Sequence, residues 1–485
     1  MSAMILALEA STTSAKALLY NAAANKVERV VSEPYGETAW PEKVAGGLHD
    51  PRAVAACAFK LGRQVCEGVN GIEAVALCGT FHSVLVAGAG NGGASGGIEP
   101  LTPTYTWMSP IAENVTARLR KDQSWTNEYY RRTGCMVHAL YPAFQLLRLR
   151  EDGFNFRDAR VMSESGYLFY LLTGIHRETA CTNSGGGLIN LQSRGWDEET
   201  LAFAGLKNEN MGTLTDYRSP LPLSHQGAGL LGLPEGIPVL PSYPDGALNQ
   251  TGAGALRKGV MTFSMGTSAA LRLSTEKPLV SDTRSTWCYL SPSAYLAGAA
   301  VSGACNCVDW IKNALFPLTS YANVESEKPN YQNMPYFLPF IFGERCPGWN
   351  DNRRGGFHAL SSAHTPKDMY YSVLEGVLFN LYQCYEALTV TAGAPEQIQL
   401  SGGILNSPHW KEMCASLFGR DIHCAKIPHV SLIGGAVLAM EVCGYISKKE
   451  DYKIDINEVI HPNMDEHKIL AGRYTKYKEY YGLLC

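Results

Sequence analysis

The residues best suited to chemistry sit in two similar runs and at one carboxylate between them. Near the start the chain reads Met4-Ile5-Leu6-Ala7-Leu8-Glu9-Ala10-Ser11-Thr12-Thr13-Ser14 and continues to Tyr20; past the middle it reads Gly259-Val260-Met261-Thr262-Phe263-Ser264-Met265-Gly266-Thr267-Ser268 and continues to Leu273. Each is an apolar strand, a tight turn of small, mostly hydroxyl-bearing residues, and a second apolar strand. Phosphate oxygens need many short donors and close backbone approach, which such turns permit. The duplication predicts two halves that grip one phosphorylated ligand. Asp245, in Tyr243-Pro244-Asp245-Gly246, stands at the junction of the halves. An Asp between Pro and Gly is commonly a turn former. At the mouth of an interdomain cleft it could instead take a proton from a substrate hydroxyl while that oxygen attacks phosphorus.

Two further groups are candidates. Ser401-Gly402-Gly403-Ile404-Leu405-Asn406-Ser407-Pro408 lies between a strand pattern and a helical run from Trp410 to Phe418. Paired glycines let a backbone approach a flat ligand, and a helix start offers donors. His82 and Trp107 follow strand-like segments in the first half. They suit sugar recognition, one by hydrogen bonds and one by an apolar stacking face, or else are a satisfied histidine and a packed tryptophan. No G-x-x-x-x-G-K-[ST] loop and no G-x-G-x-x-G fingerprint at this point occurs, which argues against a P-loop enzyme.

The elements that must position these residues alternate. Helical patterns cover residues 51–68, 111–121, 142–151, 163–173 (ending at Gly174) and 366–391. Buried strands are expected at Ile72 to Cys78, Val84 to Ala87 and Ile398 to Leu400, a hairpin tip over 88–98, a buried helix around Ala436 to Met440, and a surface helix in the charged tail from Lys448. The Pro-rich passage from Ser219 to Pro244 is the expected domain boundary, giving units 1–244 and 245–485. Strand–helix alternation in both halves predicts an α/β fold with mostly parallel sheets and a ligand site in the cleft between them.

Composition agrees with two globular domains. The 485 residues are 46% apolar and 18% charged with a formal net charge of -4. There is no basic footprint for nucleic acid and no apolar run approaching ~18 residues that would span a membrane. Lack of a basic-then-apolar leader predicts a cytoplasmic protein. The fourteen cysteines have neither disulfide-scaffold nor zinc-site spacing and read as free, mostly buried thiols.

In this order, the pieces resemble the FGGY family of carbohydrate kinases over nearly the whole chain. The resemblance rests on Asp245-Gly246-Ala247, Gly266-Thr267-Ser268, Gly343-Glu344-Arg345-Cys346-Pro347-Gly348-Trp349-Asn350 with Arg354-Gly355-Gly356-Phe357, and Ser401-Gly402-Gly403 with Ser407-Pro408 and Trp410. Phe81-His82-Ser83, Thr133 to His138 with Tyr141-Pro142, and Glu375 to Tyr382 look closest to gluconate kinases, with xylulose kinases sharing much of the layout. The resemblance implies two actin-like ATPase (ribonuclease H-like) domains around an interdomain cleft. It implies ATP and Mg2+ as donor and metal, a small sugar, sugar acid or polyol as acceptor, and a possible homodimer. Asp245 would be the general base. Thr12, Thr13, Lys16, Gly266, Thr267 and Ser268 would surround the ATP phosphates, and Gly402, Gly403 and Asn406 would line the adenosine pocket. His82 and Trp107 would hold the sugar, with Glu9 serving the metal.

Several positions depart from the family pattern. Asp-x-Gly-Thr-Thr-Ser becomes Glu9-Ala10-Ser11-Thr12-Thr13-Ser14, and Trp-x-Asp-x-Arg becomes Trp107-Met108-Ser109-Pro110-Ile111. Gln145 stands where gluconate kinases tend to carry Lys. These changes remove charge from the acceptor side. They leave open a gluconate-type kinase, a kinase for a ketose such as xylulose or another polyol, and a sugar-binding member of weakened activity. A relative that hydrolyses ATP to drive motion is the further reading, against which the Asp245 turn and the Gly343-to-Trp349 run count.

Overall fold

A computed structural model describes residues 3–35, 47–89 and 97–483. Each half is built on one large sheet. The first runs, in spatial order, Leu221–Pro222, Pro238–Val239, Ile72–Gly79, Met4–Ala10, Ser14–Asn21 and Lys26–Pro34, with Tyr243–Pro244 also on Ile72–Gly79. The second runs Trp287–Leu290, Tyr295–Val301, Ala269–Thr275, Val260–Met265, Gln397–Gly402, Ile422–Cys424 and Glu458–Ile460. The repeat is exact in connectivity terms: each opening hairpin pairs antiparallel, and its first strand pairs parallel with a later one, Ile72–Gly79 or Gln397–Gly402. The sheets are therefore mixed rather than mostly parallel. Short turns force antiparallel pairing on the hairpin side, while helical crossovers allow parallel pairing on the other. Ile5, Leu6, Leu8 and Ala10 are all fully buried, because helices and the other half cover both faces of the strand.

Register places the site. Glu9 pairs with Cys78 and Ala10 with Gly79, while Tyr243 pairs with Cys78 and Pro244 with Gly79. Three parallel strands therefore end side by side, and the turns beginning at Ser11 and Thr80 emerge beside Asp245. In open α/β sheets this carboxyl-end crevice is where ligands bind. The second half repeats the arrangement, with Met265 opposite Gly402.

The halves are joined by two crossed helices, Asp245–Gly252 and Val430–Val442. A Cβ at Gly252 would lie 2.0 Å from the Val430 carbonyl oxygen, and one at Gly434 2.0 Å from that of Leu248. Glycine is what lets these backbones touch. The Val430–Val442 helix also packs on Met4–Ala10 and Ile72–Gly79, so a helix from late in the chain braces the first sheet.

Predicted helices fall at Pro51–Val65, Glu113–Leu119, Pro142–Glu151, Glu164–Thr173 and Pro366–Ala392. Gly174 caps its helix at φ 74°, and the 27-residue helix starts on a Thr365–Asp368 capping box. The tail differs from expectation. Its helix begins only at Met464, after a strand at Glu458–Ile460, and Leu470, Tyr474 and Tyr477 are buried. The helix lies on the surface as expected, with these three inward-facing residues over two turns packing one stripe of it against the core. Residues 90–96 of the expected hairpin tip lie outside the described residues; the strands flanking them, Leu85–Ala89 and Ile98–Pro100, pair antiparallel. The thirteen described cysteines are free and ten are buried. Among the described residues no helix is long and apolar enough to cross a membrane.

Candidate active site

The first turn is held from several sides. The Ser11 amide and hydroxyl both donate to the Ser14 carbonyl, at 3.0 and 2.7 Å. Ser11 has no positive φ, so this turn does not need the glycine of the family pattern. Trp107 Nε1 donates to Thr12 Oγ1 at 3.0 Å, and Thr13 is exposed. The second turn is looser. Gly266 donates to the Ser268 carbonyl at 2.9 Å, Gly266 and Thr267 are exposed, and a Cβ at Gly266 would find its nearest neighbour 3.9 Å away.

Asp245 opens the first of the crossed helices, half-buried. Its Oδ1 accepts from the amides of Gly246, at 2.7 Å, and Phe81, at 3.3 Å. Its other oxygen has no hydrogen-bond partner among the described residues. Burial raises its pKa above the ordinary carboxylate value, the Arg272 guanidinium pulls it back, and Glu9 adds to the rise. A carboxylate so placed is a stronger base than a solvated one. Arg272 reaches Ser264 Oγ at 2.9 Å, while its buried Nε has no partner.

Glu9 is buried and fully engaged. Oε2 takes the Lys16 ammonium at 2.7 Å, and Oε1 takes the Ser431 hydroxyl and, at 3.4 Å, the Cys78 thiol. Burial opposes the Lys16 charge, yet Glu9 holds its pKa above the ordinary lysine value. Ser431 lies on the second crossed helix, so the carboxylate ties the first sheet to the other half. Among the described residues no three His, Cys, Asp or Glu side chains cluster as a metal cage.

His82 adopts φ 61° and points Nδ1 at the Gly185 carbonyl. Burial, then the nearby Arg345 charge, push its pKa down to about 3. The ring is neutral, and the carbonyl assigns the proton to Nδ1, leaving Nε2 as an acceptor. Tyr141 and Tyr289 stand edge-on to it at 5.2 and 5.7 Å.

Between the halves is a cleft of about 460 Å³. Trp107, Ser109 and His138 line it from the first half, and Ser268, Asn306 and Arg345 from the second. Asp245 does not line this cavity. It stands instead at the ends of the parallel strands of the first sheet, with Oδ1 on the Phe81 amide, and not at the mouth expected from sequence. Asp351, also in the lining, contacts His138 and lies 3.2 Å from Arg120 across the gap. The Arg345 side chain has no hydrogen bond or ion pair among the described residues, and its Nε is buried. Its loop is anchored through Glu344, which accepts from the Tyr481 hydroxyl at 2.6 Å and the Gly348 amide at 3.2 Å.

The departures from the family pattern sort by position. Ser109 lines the cleft. Ile111 packs against the core instead. Gln145 is fully buried behind the wall, donating to the carbonyls of Thr106 and Ala139 at 3.0 and 3.3 Å. On the nucleotide side Gly402 has φ 98°, and a Cβ there would sit 2.1 Å from the Met265 carbonyl oxygen. Gly403 starts the 3-10 turn Gly403–Asn406, whose exposed last residue precedes the helix Pro408–Phe418. Arg272, Arg345, His138 and Asp351 escaped the residue-by-residue reading. The signal available was the charged pair Glu344-Arg345 inside a Gly- and Pro-rich run.

Comparison with known proteins follows this geometry. Residues 4–252 match the model of the FGGY family of carbohydrate kinases, N-terminal domain, and residues 261–441 that of the C-terminal domain. A gluconokinase of Bacillus subtilis (strain 168) is 25% identical over 474 residues, covering 92% of this chain and 89% of its own. A solved gluconate kinase from Lactobacillus acidophilus superposes with a TM-score of 0.91 at 24% identity, over 100% of this chain and 98% of its own. A ligand-bound xylulose kinase from Lactobacillus acidophilus also gives 0.91, at 25% identity, over 99% and 98%.

Proposed function

The chain belongs to the FGGY family of carbohydrate kinases, and from that premise we propose that it phosphorylates a hydroxyl of a small aldonate-type acceptor, with Asp245 as general base. As a family member it is a phosphotransferase with ATP as donor and an alcohol as acceptor. The observation that carries the reading is the placement of Asp245 where three parallel strands end, beside the first phosphate turn. Its carboxylate takes the proton of the acceptor hydroxyl. That oxygen forms the new bond to the terminal phosphorus, and the bond to the ADP oxygen breaks.

The acceptor side supports the substrate class. His82 Nε2 accepts from a sugar hydroxyl, and Trp107 offers an apolar face. Arg345, lining the cleft without a side-chain partner among the described residues, supplies a positive charge where Ser109, Ile111 and Gln145 carry none. A guanidinium without a partner in a partly desolvated cleft calls for an anion, and a carboxylate fits it in two-point fashion.

On the donor side, the Ser11–Ser14 and Gly266–Ser268 turns face the phosphates, and Gly402, Gly403 and Asn406 the adenosine. Mg2+, bound with ATP, offsets phosphate charge. The residues fit a metal carried by the nucleotide rather than one held in a cage of protein side chains. Glu9, both oxygens taken, acts through Lys16, which it holds charged.

The test is ADP release by the purified chain with ATP and Mg2+ against aldonates, ketoses and neutral polyols. The expected result is acceptor-dependent release, greatest with an aldonate. Arg345→Gln should raise KM for the aldonate by roughly 10- to 100-fold and spare a neutral polyol. Acceptor-independent release would instead indicate an ATPase. Release that is greatest with a ketose, unaffected by Arg345→Gln, would remove the aldonate assignment.

A further inference from the structure

A buried ion pair behind the first phosphate turn is used by none of these steps. His49, in the short strand Leu48–His49, meets Glu164, first residue of the helix Glu164–Thr173, with Nδ1 2.8 Å from Oε1. Their side chains are 0% and 1% exposed. The other ring nitrogen, Nε2, lies 3.0 Å from the Thr12 carbonyl oxygen. A carboxylate and a carbonyl are both acceptors, and a neutral imidazole has one N–H. Serving both at these distances takes an imidazolium facing a carboxylate.

The carbonyl it holds belongs to the turn. In a trans peptide the C=O of one residue and the N–H of the next point in opposite directions. Holding the Thr12 carbonyl inward on His49 therefore aims the Thr13 N–H outward, where Thr13 is exposed and its amide has no acceptor among the described residues. Thr12 is also held by its hydroxyl, which accepts from Trp107. Backbone N–H groups of this kind are what bind phosphate oxygens.

We propose that the His49–Glu164 pair is the positioning device of this turn, its imidazolium fixing the Thr12 peptide so that the Thr13 N–H faces the nucleotide phosphates, and that nucleotide affinity depends on that proton. This rests on the reading of Ser11–Ser14 as a phosphate turn. Among the described residues, few charged or titratable groups surround the ring. Glu164 faces Nδ1. Tyr35 stands edge-on at 5.4 Å with its hydroxyl buried and unpartnered, and Glu9 and Cys57 lie beyond it. Asp50 is turned to the amides of Arg52 and Ala53. Burial opposes the His49 charge, but Glu164 and the Thr12 carbonyl outweigh it and raise the pKa above 6.5. A raised histidine keeps its proton to higher pH than a free imidazole and loses it as pH climbs through the raised value.

The experiment is calorimetric affinity for Mg-ADP from about pH 7 to about pH 10, on the full chain as wild type, Glu164→Gln and His49→Asn. Wild type should lose roughly tenfold in affinity along that range. Glu164→Gln should show the same loss at lower pH, and His49→Asn should bind weakly at all pH values. A wild-type profile that follows His49→Asn, or a Glu164→Gln midpoint equal to that of wild type, overturns the proposal. If His49→Asn does not fold, wild type against Glu164→Gln decides alone. Absence of Mg-ADP binding by the wild type at every pH would overturn the phosphate reading, and this proposal with it.

Discussion

The two turns proposed to face the phosphates come from equivalent hairpins, yet they are held differently. The Ser11–Ser14 turn is braced by its own hydroxyl, by Trp107, by His49 and by the Glu9–Lys16 pair beneath it. The Gly266–Ser268 turn is exposed and kept by one short backbone bond, with Cys305 and Asn306 donating to its carbonyls. Topology alone does not set rigidity; the side chains packed behind a turn do. The first turn has its ordering cost met on folding, the second meets it on binding. Around the donor phosphates, one fixed platform sets the in-line geometry while a compliant one adapts to the nucleotide.

The largest effect tests the group both turns serve. Asp245→Asn should lower kcat by about 10³- to 10⁴-fold while Mg-ADP still binds; turnover within a few-fold of wild type would remove Asp245 as base. The next probes the floor of the open turn. Gly402→Ala places a Cβ 2.1 Å from the Met265 oxygen at φ 98°, and should cost about 3 kcal/mol or more in thermal or denaturant unfolding. An unchanged melting temperature would mean that the floor, like the turn above it, yields easily.

Arg272 belongs to the second hairpin but acts on the first half's reaction. The Asp245 base must be ionised, so activity is full above its raised pKa and falls as pH drops through it. Arg272→Gln removes the positive charge that opposes the rise. The acid limb of kcat should move to higher pH; a limb that stays in place would separate Arg272 from the base. The smallest effects sharpen the contrast most. Ser11→Ala removes a brace and should raise KM for ATP about threefold to tenfold. Gly266→Ala enters open space, its nearest neighbour 3.9 Å away, and should change KM by less than about twofold. Equal effects at the two positions would erase the difference between the turns.

Much of the site was legible because its signals are local. Asp245 follows a proline-rich junction, and Gly402-Gly403 follows a strand, so each could be located from a few neighbouring residues. The helix Pro142–Glu151 began and ended where its pattern did. The tail helix did not, because its charged surface hid three buried positions that only its packing partners define. Glu9 read as a candidate metal residue because its type and place match the family motif. Its partner Ser431 lies 422 residues away, and no spacing rule connects them.

What the amino-acid order determined by itself was the duplicated hairpin, the α/β class, the carboxylate at the junction and the glycines of the strand-ending turns. These depend on propensity, period and turn chemistry within a few residues of chain. Tertiary structure alone decided which charges are spent and which are free: Glu9 on Lys16 and Ser431, His49 on Glu164, and Arg345 left facing the cleft. The reason is physical. A buried charge must find a partner in space, and the fold, not the distance along the chain, chooses that partner.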